Sequence, residues 1–216
     1  MSSLGSPNPL LFGGAKDYEI ERSLRFNSAD TAKLTRTPSG AGNNKKWTWS
    51  AWVKRGKITV TGGCRIFGAG AGGGSNGSYM IFAADDRFLF IEDPNPQILR
   101  YTTRKFRDPS AWYHIVVVWD TANSTAADRL IYYVNGVRET DYTAGDPAQD
   151  RVSSITNAIE HQFGLRGGYN DEWFDGYLAE VHFCDGQAYS ASEFGETNTD
   201  TGAWVPKKPA VTYGTT

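Results

Sequence analysis

The densest grouping of chemically capable side chains lies in the run RGGYNDEWFD, where Arg166, Tyr169, Asn170 and Trp173 stand beside Asp171, Glu172 and Asp175. An aromatic ring offers an apolar face to the C–H side of a sugar, while arginine and amide groups bind its hydroxyls. Arg166, Tyr169, Asn170 and Trp173 are therefore a candidate carbohydrate-binding set. The competing explanation is packing at a strand end, because tryptophan is usually mostly buried. Other chemistry finds less support. The three histidines, His114, His161 and His182, each fall inside a strand-like pattern, where an ordinary packed or surface histidine outweighs a triad member. Cys64 and Cys184 are too few for a disulfide scaffold and lack metal-site spacing, so they are expected to be free, half-buried thiols. The glycine-rich AGAGGGSNG at 69–77 is followed by no Lys-Ser/Thr and no helical pattern, which argues against a phosphate loop.

These side chains need elements to hold them, and the elements read as strands. The stretch AWYHIVVVWDTANSTAADRLIYYVNGVRE organises the chain. Residues 112–119 are apolar at both alternating sets of positions, so both faces of that strand must be covered, as in a central strand. Residues 130–134 end in Asn135-Gly136, which supplies the positive backbone angles of a type I′ turn and predicts a hairpin through 137–140. In WTWSAWVK, residues 47–54, Trp47, Trp49, Ala51 and Val53 share one face and Thr48, Ser50, Trp52 and Lys54 the other. Shorter strands are expected at 23–27, 65–68, 78–83, 87–92, 98–102 and 161–166, with polar turns or loops at 40–46 and 144–156. Residues 173–185 read as one long strand kinked near Asp175-Gly176, with Tyr177, Ala179, Val181 and Phe183 on one face and Glu180 and His182 on the other. Residues 190–193 start a helical turn, and the Pro- and Lys-rich 202–216 is expected to run extended over the surface.

The chain has 216 residues, 13% aromatic, with 24 glycines and no long helical period, which fits one large all-β domain. A formal charge of −2 gives no global field for nucleic acid or anionic lipid. The charge is uneven, however: residues 1–60 carry ten basic and four acidic side chains, and residues 141–200 two basic and twelve acidic. Either the first and last strands are neighbours and neutralise each other, or copies meet head to tail. The segment MSSLGSPNPLLFGGA has no positive n-region and only a short apolar run, so no signal peptide is expected, and no stretch has membrane-spanning length. Pro9, Leu10, Leu11 and Phe12 have no apolar partners nearby in sequence, which suits either a disordered tail or an anchoring arm.

The ordered series WTWSAWVK, RIFGAG, WYHIVVVWD, LIYYVNGV, FGLRGG and FDGYLAEVHFCDGQAYSASEF resembles the laminin-G-like, concanavalin A-like lectin jelly roll across residues 23–194. That resemblance implies an antiparallel two-sheet β-sandwich, in agreement with the strand reading. The terminal pieces SLGSPNPLLFGGA and FGETNTDTGAWVPKK are similar to segments of tailed-bacteriophage virion proteins. Residues 1–22 then form an attachment arm, 23–194 the jelly roll and 195–216 a tail. The resemblance brings two further chemistries. Hydrolases of this fold carry Glu-x-Asp-x-(x)-Glu on one strand face, and the run from Asp171 to Asp175 has the wrong spacing, so no enzyme is expected. Laminin-G-like domains often hold calcium at the rim, and Asp85, Asp86, Glu92, Asp93, Asp171 and Asp175 are the rim-like oxygens, with Asp171 and Asp175 the candidate ligands. They lack the fixed spacing of a calcium loop, and turn chemistry explains most of them.

The expected protein is thus a non-enzymatic phage virion component made in the host cytoplasm. It is displayed on the particle as a capsid decoration or knob protein, in partnership with capsid or tail proteins and other copies of itself. The alternative is a tail fibre or receptor-binding lectin directed at host surface glycan; the chain carries no heptads or repeats for a fibre shaft.

Overall fold

The computed structural model describes residues 18–70, 77–93, 98–143, 145–167, 169 and 171–214. Pro9, Leu10, Leu11, Phe12 and Asn170 lie outside the described residues. Among the described residues fourteen strands run in order: β1 (Leu24–Phe26), β2 (Leu34–Arg36), β3 (Lys46–Arg55), β4 (Cys64–Ala69), β5 (Ser78–Phe82), β6 (Arg87–Glu92), β7 (Ile98–Lys105), β8 (Tyr113–Asp120), β9 (Leu130–Val134), β10 (Val137–Arg138), β11 (His161–Phe163), β12 (Gly176–Asp185), β13 (Gly195–Thr197) and β14 (Trp204–Pro206). They form two six-stranded antiparallel sheets, β1-β12-β3-β8-β9-β10 and β2-β11-β4-β5-β6-β7, with β13-β14 as a separate hairpin. The fold is the antiparallel sandwich expected from the strand pattern. No helix of the described residues is long and apolar enough to cross a membrane.

The core lies between the two large sheets. Trp47, Trp49, Ala51 and Val53 of β3 point into it, together with Ile115, Val117 and Trp119 of β8 and Phe82, Phe88 and Phe90 from the opposite sheet. Asn135 and Gly136 have φ of 48° and 79°, so the hairpin of β9 and β10 turns on the pair that the sequence marks. As expected, β8 is an inner strand buried on both faces: Val116 and Val118 turn away from the core into a second cluster with Cys184, Ala191 and Phe194. The cover for that outer face comes from residues 186–213, which hold β13 and β14 as well as the helical turn expected at 190–193, whereas 202–216 alone read as an extended surface run. Burying each such side chain contributes about 1.5–3 kcal/mol.

Strand β12 departs from the expected alternation. It begins at Gly176, and its pairing with β3 shifts register between Ala179 and His182, where Glu180 adopts φ 46°. This bulge adds one residue and reverses the parity, so Leu178 faces the core before it and Phe183 packs on the core after it. Tyr177, Ala179, Val181 and Phe183 therefore do not share one face. Cys64 and Cys184 are free, and both are fully rather than half buried, in different clusters. Burial pushes each thiol up to about 11.

Part of the uneven charge is paired within the chain. The β1–β12 pairing brings Arg25 to Asp175 at 2.9 Å and Lys57 to the same carboxylate at 3.6 Å, and Lys45 reaches Asp150 at 3.1 Å. Three of the rim-like acids, Asp86, Glu92 and Asp175, are buried instead. Glu92 accepts from Ser78 Oγ at 2.6 Å and Ser154 N–H at 3.0 Å, and burial raises its pKa. Asp86 sits fully buried at the turn between β5 and β6, bound by Arg55 at 3.0 Å, Arg107 at 3.0 Å and Thr59 N–H at 2.6 Å. Burial alone would raise its pKa, but the bonds from Thr59, Arg107 and Arg55 outweigh it and bring the carboxyl down to about 2.

The sign follows from that depression. Asp86 contributes stability fully present above its ordinary pKa near 4, and this is lost as pH falls towards about 2. Asp86→Asn should cost about 3 kcal/mol at neutral pH, because it also strands the buried Arg55, and should flatten the acid limb of the stability curve. Urea denaturation of both proteins across that pH range checks it; parallel acid limbs would refute the assignment.

Candidate glycan-binding surface

The candidate turn follows β11. Gly164, at φ 92°, donates to Ile66 O at 3.1 Å and accepts from Phe174 N–H at 2.9 Å, while buried Leu165 and Phe174 anchor the two ends. The polar residues between them are held on the surface. Arg166 and Asp171 form an isolated antiparallel bridge, with Arg166 N–H on Asp171 O at 3.0 Å.

The side chains form one continuous ladder. Arg166 binds Asp171 through two nitrogens, Nε–Oδ1 at 2.7 Å and Nη2–Oδ2, and reaches Glu172 at 3.3 Å. Its guanidinium lies 4.0 Å over the Tyr169 ring centroid. Glu172, at φ 50°, bonds with its other oxygen to Arg65 Nε at 2.6 Å, and Arg65 in turn lies 3.9 Å over Tyr79. The hydrogen bonds it donates to Asp171 and the nearby Glu172 charge hold the Arg166 pKa above its usual value. Such bidentate and cation–π contacts fix both rings and charges in place. Tyr169 remains 49% exposed, a rigid aromatic ledge backed by a guanidinium.

Of the expected site residues, Arg166 and Tyr169 are in direct contact and Trp173 is half-buried on the same turn. The sequence pattern missed Arg65, Tyr79 and the bridging role of Glu172, because Arg65 is 107 residues from Glu172 and sits in an apolar run. Asp175 turns inward with 5% exposure and accepts from Arg25, Ser28 N–H and Ser28 Oγ. Burial disfavours its charge, but the Ser28 and Arg25 bonds prevail and hold its pKa below the ordinary range. Asp171 and Asp175 thus each face cationic partners of their own, and they do not fit a shared calcium site. Among the described residues no three His, Cys, Asp or Glu side chains come together as metal ligands.

A second arrangement invites a catalytic reading and has a different chemistry. Ser50 Oγ and His114 Nε2 are 2.9 Å apart, both buried, on neighbouring strands β3 and β8. In a nucleophilic pair Nε2 must accept the hydroxyl proton. Here Trp204 Nε1–H donates to His114 Nδ1 at 3.0 Å, so Nδ1 is the acceptor and Nε2 carries the proton. His114 therefore donates to Ser50. Its ring lies between Trp52 and Trp204, at 5.0 and 6.0 Å. Burial, with a smaller contribution from His182, depresses its pKa to about 3. The group is a pin between the sheet and the C-terminal hairpin. Gly136 belongs to it as well, since a Cβ there would stand 2.4 Å from the Trp204 ring.

His114 should show an Nε2–H imidazole by nitrogen NMR, with no titration from neutral pH down to about pH 4. A midpoint near the ordinary histidine value, or an Nδ1–H tautomer, would refute the pin. Trp204→Phe should release Nδ1 and change its nitrogen shift.

Comparison with known proteins places the fold. The Laminin_G_3 family, described as the concanavalin A-like lectin/glucanases superfamily, matches residues 26–193. The structure is similar to domains LG4-5 of the mouse laminin alpha1 chain, with TM-score 0.55 and 8% identity over 92% of this chain and 47% of that one. It is similar to a heptameric SAP-like pentraxin from Limulus polyphemus, with TM-score 0.51 and 16% identity over 78% of this chain and 77% of that one. It also resembles the enzymatically active domain of bacteriophage CBA120 tailspike protein 2, with TM-score 0.54 and 15% identity over 80% of this chain and 26% of that one. A search of curated proteins returned no match. These structural likenesses concern the fold alone. With the family covering most of its length and every sheet of the sandwich in place, the chain belongs to the concanavalin A-like lectin/glucanases superfamily through its laminin G branch.

Proposed function

We propose that this chain is a non-enzymatic surface module of a tailed-phage virion, which displays a glycan-reading face and is attached through its N-terminal arm. Residues 1–22 serve as the arm, 23–194 as the jelly roll and 195–216 as the C-terminal tail. The observation that carries the binding half of this reading is the Arg166–Tyr169 ledge, a half-exposed ring fixed by an ion-pair ladder. Preorganised aromatics suit sugar faces because little freedom is lost on binding. The non-enzymatic half is supported by the state of the reactive groups: the Ser50–His114 pair has the wrong tautomer, and both thiols are buried and protonated. The virion half is supported by the terminal sequences, with Pro9, Leu10, Leu11 and Phe12 as the contact set for a capsid or tail protein. We place the module on the capsid as a decoration protein. The same ledge at a tail tip would make it a receptor-binding lectin, and that is the second reading.

Tyr169→Ala should lower binding on a glycan array by at least about tenfold with little change in melting temperature, since its ring is half exposed. Unchanged binding would remove the ledge from the reading. Deleting residues 2–15 should leave a folded domain that no longer joins particles, measured by its occupancy in purified virions; full occupancy would refute the arm.

A further inference from the structure

On one side of the sandwich both sheets end in a short edge strand, β1 in one sheet and β2 in the other. Between these two edges runs a groove of about 400 Å³. Its floor reaches the core at Phe26 and Leu178, and its lips carry Leu24, Leu34 and Val181, which are 48%, 51% and 38% exposed. Large apolar side chains from three distant parts of the sequence thus converge, exposed, on one place. The opposite side of the sandwich is laced instead: Arg104 of β7 pairs with Glu139, next to β10, at 2.8 Å, and Thr102 of β7 bridges to Tyr142.

An apolar patch rimmed by charge marks a contact with another protein, and an open strand edge is a template for one. The charges on the two walls choose the partner. Lys33 and Arg36 flank Leu34 on the β2 wall; both are exposed, and neither pairs with a carboxylate among the described residues. The β1–β12 wall is mixed in sign, with Arg22 and with Glu180, whose carboxylate is 3.2 Å from His182 Nε2.

A uniformly acidic partner would suit Lys33 and Arg36 but oppose Glu180, and a uniformly basic one would do the reverse. A second copy satisfies both walls when a two-fold axis lays the β1–β12 wall of each copy on the β2 wall of the other. The other two-fold arrangement, each wall on itself, would set Lys33 and Arg36 against their own counterparts. The favoured one also uses charge left over within the chain, since Lys33 and Arg36 belong to the basic first 60 residues and Glu180 to the acidic stretch 141–200.

We infer that this open side is the interface of a closed, two-fold homodimer. Leu24 and Val181 cover Leu34 of the partner subunit, and Glu180 faces Lys33 of the partner subunit and Arg36 of the partner subunit. The contact uses neither the Tyr169 ledge nor Pro9, Leu10, Leu11 and Phe12, so it stands or falls apart from the glycan and virion readings.

The experiment is sedimentation equilibrium on the full chain from about 1 to 100 μM, a range that brackets micromolar dissociation constants. Four variants are compared with the parent: Leu34→Glu; Lys33→Glu with Arg36→Glu; that pair together with Glu180→Lys; and Leu10→Ser with Phe12→Ser. Leu34, Lys33 and Arg36 are exposed, so the first two variants keep the fold, with the melting temperature as the check. The expected parent has twice the chain mass. Leu34→Glu and the Lys33, Arg36 reversal should each raise the dimer dissociation constant at least about tenfold, and adding Glu180→Lys should restore most of the loss from the reversal. A monomeric parent, a dimer indifferent to Leu34→Glu, or a mass that keeps growing with concentration overturns the inference. Failure of Glu180→Lys to restore the dimer overturns the wall-to-wall arrangement and the inference with it. A parent that dimerises only in Leu10→Ser with Phe12→Ser assigns the groove to the chain's own N-terminal arm, which also overturns it.

Discussion

A strand that is apolar on both faces must be covered twice, and the rest of the molecule follows from that requirement on β8. Ile115, Val117 and Trp119 are covered by the opposite sheet, the ordinary solution in a sandwich. Val116 and Val118 need a second layer, which the chain provides by folding residues 186–213 back over β8, β9 and β12. An apolar cover by itself has no preferred register, because the hydrophobic effect is non-directional. Polar pins supply the register: Thr48 Oγ1 donates to Gln187 O at 2.8 Å and accepts from Tyr189 N–H, and Trp204 donates to His114, which donates to Ser50. Thr48 and Ser50 alternate with the core tryptophans of β3. One strand therefore faces the core with its aromatics and fixes the cover with its hydroxyls.

What was legible in the sequence is what depends on near neighbours. The double-sided apolar run of β8, the alternating tryptophans of β3 and the Asn135-Gly136 turn each carry their own signal, and each stands in the structure where that signal puts it. The parity of β12 was not legible, because a bulge depends on the partner strand and the residues around Glu180 look like uninterrupted alternation. The three-residue strands β2, β13 and β14 are too short for a period to show. Acidic residues were misplaced for a related reason. Composition shows that Asp86, Glu92 and Asp175 are carboxylates, but not that Arg55, Ser78 and Arg25 fold over them and draw them inside. The candidate turn was half legible: Arg166, Tyr169 and Asp171 stand within a few residues, whereas their support from Arg65 and Tyr79 comes from β4 and β5 across the sheet.

That distant support decides what the turn can do. An arginine alone on a surface turn is a mobile, hydrated cation whose ordering on binding costs rotamer entropy. Sandwiched between two carboxylates and a tyrosine face, Arg166 has lost that freedom already, and the ring it backs presents one fixed plane. Its charge is neutralised too, so the ledge offers shape and local dipoles rather than a field. The same holds on the outer face of the β1-β12-β3-β8-β9-β10 sheet, where Asp120 and Asp128 each have a cation in contact. Long-range attraction is therefore weak at both places, in keeping with a formal charge of −2 for the whole chain. A surface built this way discriminates by contact rather than by a long-range field.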